Sequence, residues 1–274
     1  MFKIFKLPDL RKRIIFTLFI IAVFRLLAHI PVPGVDTSSI KAYLEQSVIF
    51  GFFDLFSGGG FQNFSIVTLG LGPYINASII IQLLTMLIPS LEEMAKEGEY
   101  GQEKLNMYTK ILAIPMSFVQ AYGIYFLLSR QGIINSLGAF DVVLLILTFT
   151  AGSMLLVWLG DLLTEKGVGN GISALIFVSI ISRLPTSVLS AVTGIMSSNY
   201  IQTLIVLVLI LLIIIAVVLV NEGTRNVLLE YGRSSERSSK VTNYLPIKIN
   251  QAGVIPIIFA VSIVSIPGMV SGPF

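Results

Sequence analysis

Long apolar runs that end at charged residues set the pattern of this chain. From Ile201 to Val220, twenty consecutive residues carry no charge, and only Gln202 and Thr203 are polar. That is the length an α-helix needs to cross roughly 30 Å of hydrocarbon at about 1.5 Å per residue. The same rule predicts seven helical crossings, near residues 14–30, 72–89, 111–129, 142–160, 171–193, 201–220 and 252–270. The chain therefore reads as an all-α polytopic membrane protein. Lys3, Lys6, Arg11, Lys12 and Arg13 precede the first run as they would in a secretory signal. No small-residue cleavage site stands before Pro31 and Pro33, so the run is kept as the first span.

Two segments do not fit simple spans. Between Asp54 and Glu92 lie 37 uncharged residues, too many for one crossing and too few for two with a proper turn. The excess, Leu55 to Gly70, contains Gly58, Gly59 and Gly60 flanked by Phe56, Phe61 and Phe64. A glycine triplet disfavours continuous helix, and lipid does not tolerate exposed irregular backbone. Two readings stand: a loop lying on the outer membrane surface, or a segment at membrane depth that is buried in protein or lines a cavity. The second oddity is the helix breakers heading two spans, Gly70, Gly72 and Pro73 in one and Gly253 and Pro256 in the other. In proteins built from repeated halves, such breakers point to a transport pathway.

Composition narrows the class further. Of 274 residues 55% are apolar and 12% charged, whereas soluble domains run near a quarter charged. A soluble enzyme core is excluded, as is a nucleic-acid-binding domain resting on the net charge of +3. With no cysteine there is no disulfide scaffold or cysteine metal site, and a single histidine argues against a transition-metal site. Basic residues fix the orientation. With the N-terminus inside, 14 of the 18 Lys and Arg are cytoplasmic; Lys41, Arg130 and Arg183 are outside and Arg25 is within the first span. The reverse placement violates the positive-inside rule. Seven spans then leave Phe274 outside.

Polar side chains inside spans are costly and are functional candidates by default. Asn76 and Gln120 lie within spans, and Asn250 sits at the mouth of the seventh. Arg25 and His29 lie near the outer end of the first span, where Arg25 can snorkel to the interface; neither is assigned a catalytic role. The soluble stretch from Glu222 to Ile249 holds two runs, Val227-Leu-Leu and Val241 to Ile249, separated by Gly232 and a Ser/Arg-rich turn. Their pattern predicts a two-stranded hairpin. Gly167-Val-Gly-Asn-Gly171 lacks both a preceding strand and the lysine-serine ending of a phosphate loop, and reads as a turn into the fifth span. No enzymatic motif is present.

The stretch from Gly70 to Leu84, GLGPYINASIIIQLL, and that from Trp158 to Ser173, WLGDLLTEKGVGNGIS, resemble the two signature segments of the SecY family, the bacterial protein-conducting channel of the Sec translocon. Leu245 to Pro256, LPIKINQAGVIP, resembles the entry into that family's seventh span. The resemblance runs from about Arg11 to the end. It implies a SecY-like helical bundle with inverted-repeat architecture, a first five-helix half over residues 1–193, and the start of a second half over 194–274. Family members have ten spans in two inverted halves, and this chain stops after the seventh, so it resembles a fragment or truncated product with the second half incomplete.

The resemblance also implies roles. A re-entrant plug near residues 55–66 would comprise Phe56, Ser57, Gly58, Gly59, Gly60, Phe61, Gln62, Asn63 and Phe64, the glycines permitting its displacement. The constriction would be an aliphatic ring of Leu71, Ile75, Ile172, Ile176 and Ile258. A narrow apolar neck dewets, resists ions and offers no hydrogen bonds to a passing polypeptide. Leu71/Ile75 and Ile172/Ile176 are i, i+4 pairs that share a helix face. Asn76, Gln120 and Asn250 would form the polar cluster of a lateral gate opened by signal peptides. The loop from Glu222 to Ile249, with Arg225, Arg233, Arg237, Lys240 and Lys248, would dock cytoplasmic partners; Arg225 is followed by Asn226 where family members often carry a second basic residue. The implied partners are SecE- and SecG-type small membrane subunits, a SecA-type motor ATPase, the ribosome, signal peptides, nascent chains and the lipid bilayer, with no cofactor. The implied location is the bacterial cytoplasmic membrane.

The competing reading is a fragment of a secondary transporter, which shares broken helices and inverted repeats. A transporter usually carries ionisable residues at the membrane midplane, and no Asp or Glu lies well inside these spans. An ion channel would show a charged or carbonyl-lined filter in place of the aliphatic constriction.

Overall fold

The computed structural model of the chain describes residues 8–32, 54, 57–130, 132, 138–196, 200–229 and 243–250. In chain order these form α1 (Pro8–Leu27), α2 (Gly72–Leu87), α3 (Pro89–Lys96), α4 (Glu99–Arg130), α5 (Ala139–Lys166), α6 (Gly171–Met196), α7 (Tyr200–Glu222), β1 (Thr224–Leu229) and β2 (Asn243–Lys248). Among the described residues three helices are long and apolar enough to cross a membrane, or four if the bent pair α2 and α3 is one span. The predicted seventh span, 252–270, lies outside the described residues.

Helices α4 and α5 are longer than the runs that predicted them. Apolar pattern reads only the part of a helix in hydrocarbon, whereas backbone hydrogen bonding carries α4 back to Glu99 and α5 on to Lys166. Between α2 and α4 the chain turns sharply: α3 leaves α2 at 104° across Ile88, where Pro89 starts the new helix with a residue that needs no N–H partner. Asn170 caps α6, its Oδ1 accepting the Ser173 N–H at 3.0 Å, and the Thr164 hydroxyl accepts the Gly171 N–H at 2.8 Å.

Two compact units divide the chain, Met1–Thr186 with Ser262–Phe274, and Ser187–Val261. In the first unit α4 presents a buried stripe at four-residue spacing, Gly101, Leu105, Thr109, Ala113, Ser117 and Ala121, continued by Ile124 and Leu128. Small residues on this stripe let α2 and α5 pack closely against it. Helix α5 is the centre, buried from Leu145 to Leu163 along one face. Two apolar clusters form around it. One gathers Val32, Phe61, Phe64, Leu128 and Phe149; the other gathers Phe24, Val67, Leu71, Leu156, Leu163 and Leu175.

In the second unit α7 is apolar on all sides, and its described side chains from Leu204 onward are mostly exposed. A helix of this kind belongs in lipid. The hairpin follows: β1 and β2 pair antiparallel from Thr224 opposite Lys248 to Leu229 opposite Asn243, as the two predicted runs require. Pro246 stands opposite Asn226, and a two-stranded ribbon tolerates its missing donor. The junction is tight, because a Cβ on Gly223 would come within 2.8 Å of Ile249 Cδ1.

Candidate functional site

The glycine-rich segment is not a loop on the membrane surface. Residues 57–61, 64, 65 and 67–71 are buried inside the first unit, and Gln62, Asn63 and Ile66 partly so. Its backbone lies directly on α5: a Cβ on Gly152 would be 2.0 Å from the Ile66 carbonyl oxygen. Phe64 and Phe149 meet edge to face at 5.1 Å between ring centroids. Phe64 adopts φ 45°, uncommon for a bulky side chain, and the buried contact offsets the strain. Phe56, the first of the candidate plug residues, lies outside the described residues.

Irregular backbone at this depth must find its partners within the protein, and here it does. The Asp54 carboxylate accepts the Gln62 N–H at 2.9 Å, and Ser57 Oγ accepts the Phe61 N–H at 3.0 Å. Asn63 N–H bonds Gly59 O and Ser65 N–H bonds Gly60 O. Beyond the segment, Val32 N–H donates to Phe64 O and Ile66 N–H to Ile30 O, a short antiparallel bridge to the end of the first helix. The Ser153 hydroxyl donates to Gly70 O at 3.1 Å.

Arg25 takes a place that pattern reading missed. Its guanidinium Nη1 donates to Gly58 O at 2.9 Å rather than only snorkelling along the helix. A cation alone in a predicted span was the available signal. The Asn63 amide adds a second tie, from Nδ2 to Ala28 O at 3.2 Å.

Next to this segment the structure brings together four of the five candidate ring residues. Leu71, almost fully buried, is part of the second apolar cluster, and Ile75, Ile172 and Ile176 pack against that cluster. Leu71 is not on a helix face, as the i, i+4 spacing predicted, but is the cap residue before α2; Gly70 (φ 57°) and Pro73 stop the helix from extending further back. The Ile75 N–H still bonds Leu71 O, so the pair remains one turn apart. Gly160 lets α6 approach α5 here, since a Cβ on it would lie 2.8 Å from Ile172 Cγ1. Ile258 lies outside the described residues.

The candidate gate residues are less gathered. Asn76 on α2 and Gln120 on α4 are both half-buried, and no hydrogen bond joins them. The Gln120 amide oxygen instead faces the first turn of α2, 3.6 Å from a Cβ built on Gly72. Asn250 Nδ2 donates to Asn221 Oδ1 at 2.8 Å, linking the end of the hairpin to the end of α7.

Of the candidate docking residues, Arg225 and Lys248 are described, and both are exposed. Their register puts them on opposite faces, for Arg225 pairs with Ile247 and Lys248 with Thr224. Arg233, Arg237 and Lys240 lie outside the described residues. In the first unit, Lys110 Nζ and Asp161 Oδ2 form a half-exposed ion pair at 2.8 Å between α4 and α5.

Apolar helices packed about a buried glycine-rich segment define an α-helical polytopic membrane fold, and comparison with solved structures agrees on that fold. The chain superposes with a TM-score of 0.69 on a structure described as that of a protein-conducting channel, at 20% identity, covering 95% of this chain and 58% of that one. A second match, at TM-score 0.67 and 20% identity, is a channel whose plug domain is described as stabilising the closed state; it covers 95% of this chain and 57% of that one. The SecY family model matches residues 65–274, and the chain belongs to that family. The protein translocase subunit SecY of Corynebacterium glutamicum is 40% identical, with 97% of this chain and 64% of that protein covered. The subunits of Streptomyces scabiei and Thermotoga maritima are 38% and 40% identical, each covering 97% of this chain and 65% of their own length. The chain thus spans just under two thirds of the length of these relatives.

Proposed function

We propose that this chain forms the pore of a protein-conducting channel that passes unfolded polypeptides across a bacterial cytoplasmic membrane and releases apolar segments sideways into lipid. Ser57 to Phe64, continuing from Phe56, is the plug. Leu71, Ile75, Ile172 and Ile176, with Ile258, form the apolar neck beneath it. The observation that carries this reading is the burial of the glycine-rich segment at the head of α2: Phe61 and Phe64 pack in the cluster around Phe149, and Val67 and Leu71, which follow directly, enter the cluster against which Ile75, Ile172 and Ile176 pack. An apolar neck holds back ions while binding no passing backbone, and a seated segment closes what the neck alone leaves open. Asn76, Gln120 and Asn250 belong to the lateral gate.

In this reading the chain is a passive conduit with its N-terminus in the cytoplasm, and it catalyses no reaction. Energy comes from cytoplasmic partners, a SecA-type motor ATPase or a translating ribosome, docked on the hairpin of β1 and β2. A channel matched in fold is described in complex with the ribosome in canine endoplasmic reticulum, which supports the second of these. Small membrane subunits of the SecE and SecG type complete the assembly. The test is reconstitution of the product of this gene in proteoliposomes with such a motor, ATP and a radiolabelled preprotein. ATP-dependent protection of the preprotein from external protease is expected. Protection no greater than in vesicles without the protein overturns the proposal.

A further inference from the structure

We infer that Arg25 is a positioning residue that latches the plug in its seat, an inference that rests on the reading of Ser57–Phe64 as the plug. The guanidinium of Arg25 reaches across 33 positions of sequence to the Gly58 carbonyl at 2.9 Å. Among the described residues it forms no ion pair, so this charged donor is directed at backbone. Arginine stays protonated at any ordinary pH, and a charged donor in a partly buried site makes a hydrogen bond about twice as strong as a neutral one.

The geometry at Gly58 makes the contact specific. Its φ of 66° is open to glycine and turns the carbonyl away from the path of an ordinary strand. A Cβ there would stand 3.0 Å from Phe24 Cζ and 3.2 Å from Ser179 Cα, so the turn is wedged between α1 and α6 where Arg25 reaches it. Asn63, bonded to Ala28 O, ties the far end of the same turn to the residue that follows α1.

The segment's own hydrogen bonds do not oppose release. Ser57 to Phe61 and Gly59 to Asn63 are bonds within the segment and travel with it. Departure breaks the bonds that leave the segment, from Val32 N–H to Phe64 O, Ser65 N–H to Gly60 O, Gln62 N–H to the Asp54 carboxylate, Asn63 Nδ2 to Ala28 O and Arg25 to Gly58 O, and of these Arg25 is the cationic donor. Arg25 therefore sets how much of the time the plug is seated.

The experiment uses Ser65→Cys as a reporter in the full product of the gene, reconstituted in bilayers. Ser65 is fully buried, its hydroxyl has no hydrogen-bond partner, and the chain has no other cysteine. Labelling by a membrane-impermeant maleimide and small-ion conductance are measured together. Arg25→Gln is expected to raise both by about tenfold, the size of a lost charge-assisted hydrogen bond, and Arg25→Lys by less, because a single ammonium replaces the fork. Labelling and conductance at the parent level in both variants overturn the latch. If Arg25→Gln does not accumulate in the membrane, Arg25→Lys decides alone: raised labelling supports the latch and parent-level labelling overturns it. Deletion of residues 57–64 separates the two claims. Unchanged conductance after deletion defeats the plug reading, whereas raised conductance after deletion with no effect at Arg25 defeats only the latch.

Discussion

Gly152 and Ile66 touch through backbone: a Cβ on Gly152 would sit 2.0 Å from the Ile66 carbonyl oxygen. No side chain fits there, so the glycine is what allows the irregular segment to lie flat on α5 and be buried.

Gly152→Ala should therefore cost about 1–3 kcal/mol, the range for overpacked cores. The cost falls on the seat of the segment, and the apparent melting temperature in detergent should drop while the protein still inserts. Gly98, whose surroundings are open but whose φ is 80°, is the comparison: Gly98→Asn, a residue that tolerates this conformation, should leave the melting temperature within a degree or so. Equal losses at both positions would contradict the packing account of Gly152.

The aliphatic neck gives a second expectation. Ile75→Asn, Ile172→Asn and Ile176→Asn combined place three amides around Leu71 in a cluster that is otherwise apolar. Wetting then becomes easier, and single-channel conductance in planar bilayers should rise by about tenfold, equivalent to about 1.4 kcal/mol off the barrier. Conductance equal to that of the parent, with protein amount controlled, removes these residues from the ring.

Much of this arrangement is legible along the chain. Charges at Arg13, Glu92, Lys110 and Lys166 bracket the apolar runs because lipid rejects them, and Val227-Leu-Leu with Val241–Ile249 announces the hairpin as two runs flanking Gly232 and a Ser/Arg-rich turn. What the pattern does not carry is tertiary. The target of Arg25 is a backbone carbonyl 33 positions away, and nothing about Gly58 advertises it. Leu71 and Ile75 show helical spacing, yet Gly70 and Pro73 start the helix after Leu71. Basic residues in the hairpin count alike in composition, whereas strand register sends Arg225 and Lys248 to different faces.

The Lys110–Asp161 pair joins α4 to α5, but with the side chains 40% and 41% exposed it is screened. Exposed pairs contribute about 0–1 kcal/mol. A double-mutant cycle with Lys110→Met and Asp161→Asn, read by thermal unfolding in detergent, should give a coupling below about 1 kcal/mol that shrinks further in high salt. A coupling several times larger would assign the pair a structural role that its exposure argues against.

Glu92 supplies a pH dependence. The Lys96 ammonium, hydrogen-bonded to its carboxylate at 2.6 Å and attracting it by charge, holds the carboxyl below the usual carboxylate range. A carboxyl lowered in the folded state adds stability above its unfolded value and loses it as pH falls through the folded one. The support this pair lends α3 should thus be constant near neutral pH and fade as pH falls from the ordinary carboxylate range down through the lowered one. A carbon-detected NMR titration of Glu92 checks it; Lys96→Met should move the midpoint back up toward the ordinary value.

The hairpin offers the sharpest contrast between its two faces. Register puts Arg225, Val227, Leu245 and Ile247 on one face, all exposed, and Thr224, Asn226, Pro246 and Lys248 on the other. A second basic residue at position 226 would thus point away from Arg225 rather than reinforce it. An exposed apolar strip beside an arginine suits a docking surface, since Arg and apolar residues together recur at interface centres. Ribosomes cosedimented with the reconstituted protein over a salt series should lose about tenfold in affinity with Arg225→Glu. The slope of log affinity against log salt should also fall by about 0.7–0.9, the amount expected for one lost phosphate contact. Lys248→Glu should change affinity by less than about twofold, because Lys248 stands opposite Thr224 on the face turned away from Arg225, Val227, Leu245 and Ile247. Val227→Ser should weaken binding without altering the salt slope, as loss of apolar contact does. Equal losses from Arg225→Glu and Lys248→Glu, each with the same change in slope, would mean that the loop attracts its partner by net charge alone and that neither face of the ribbon is the docking surface.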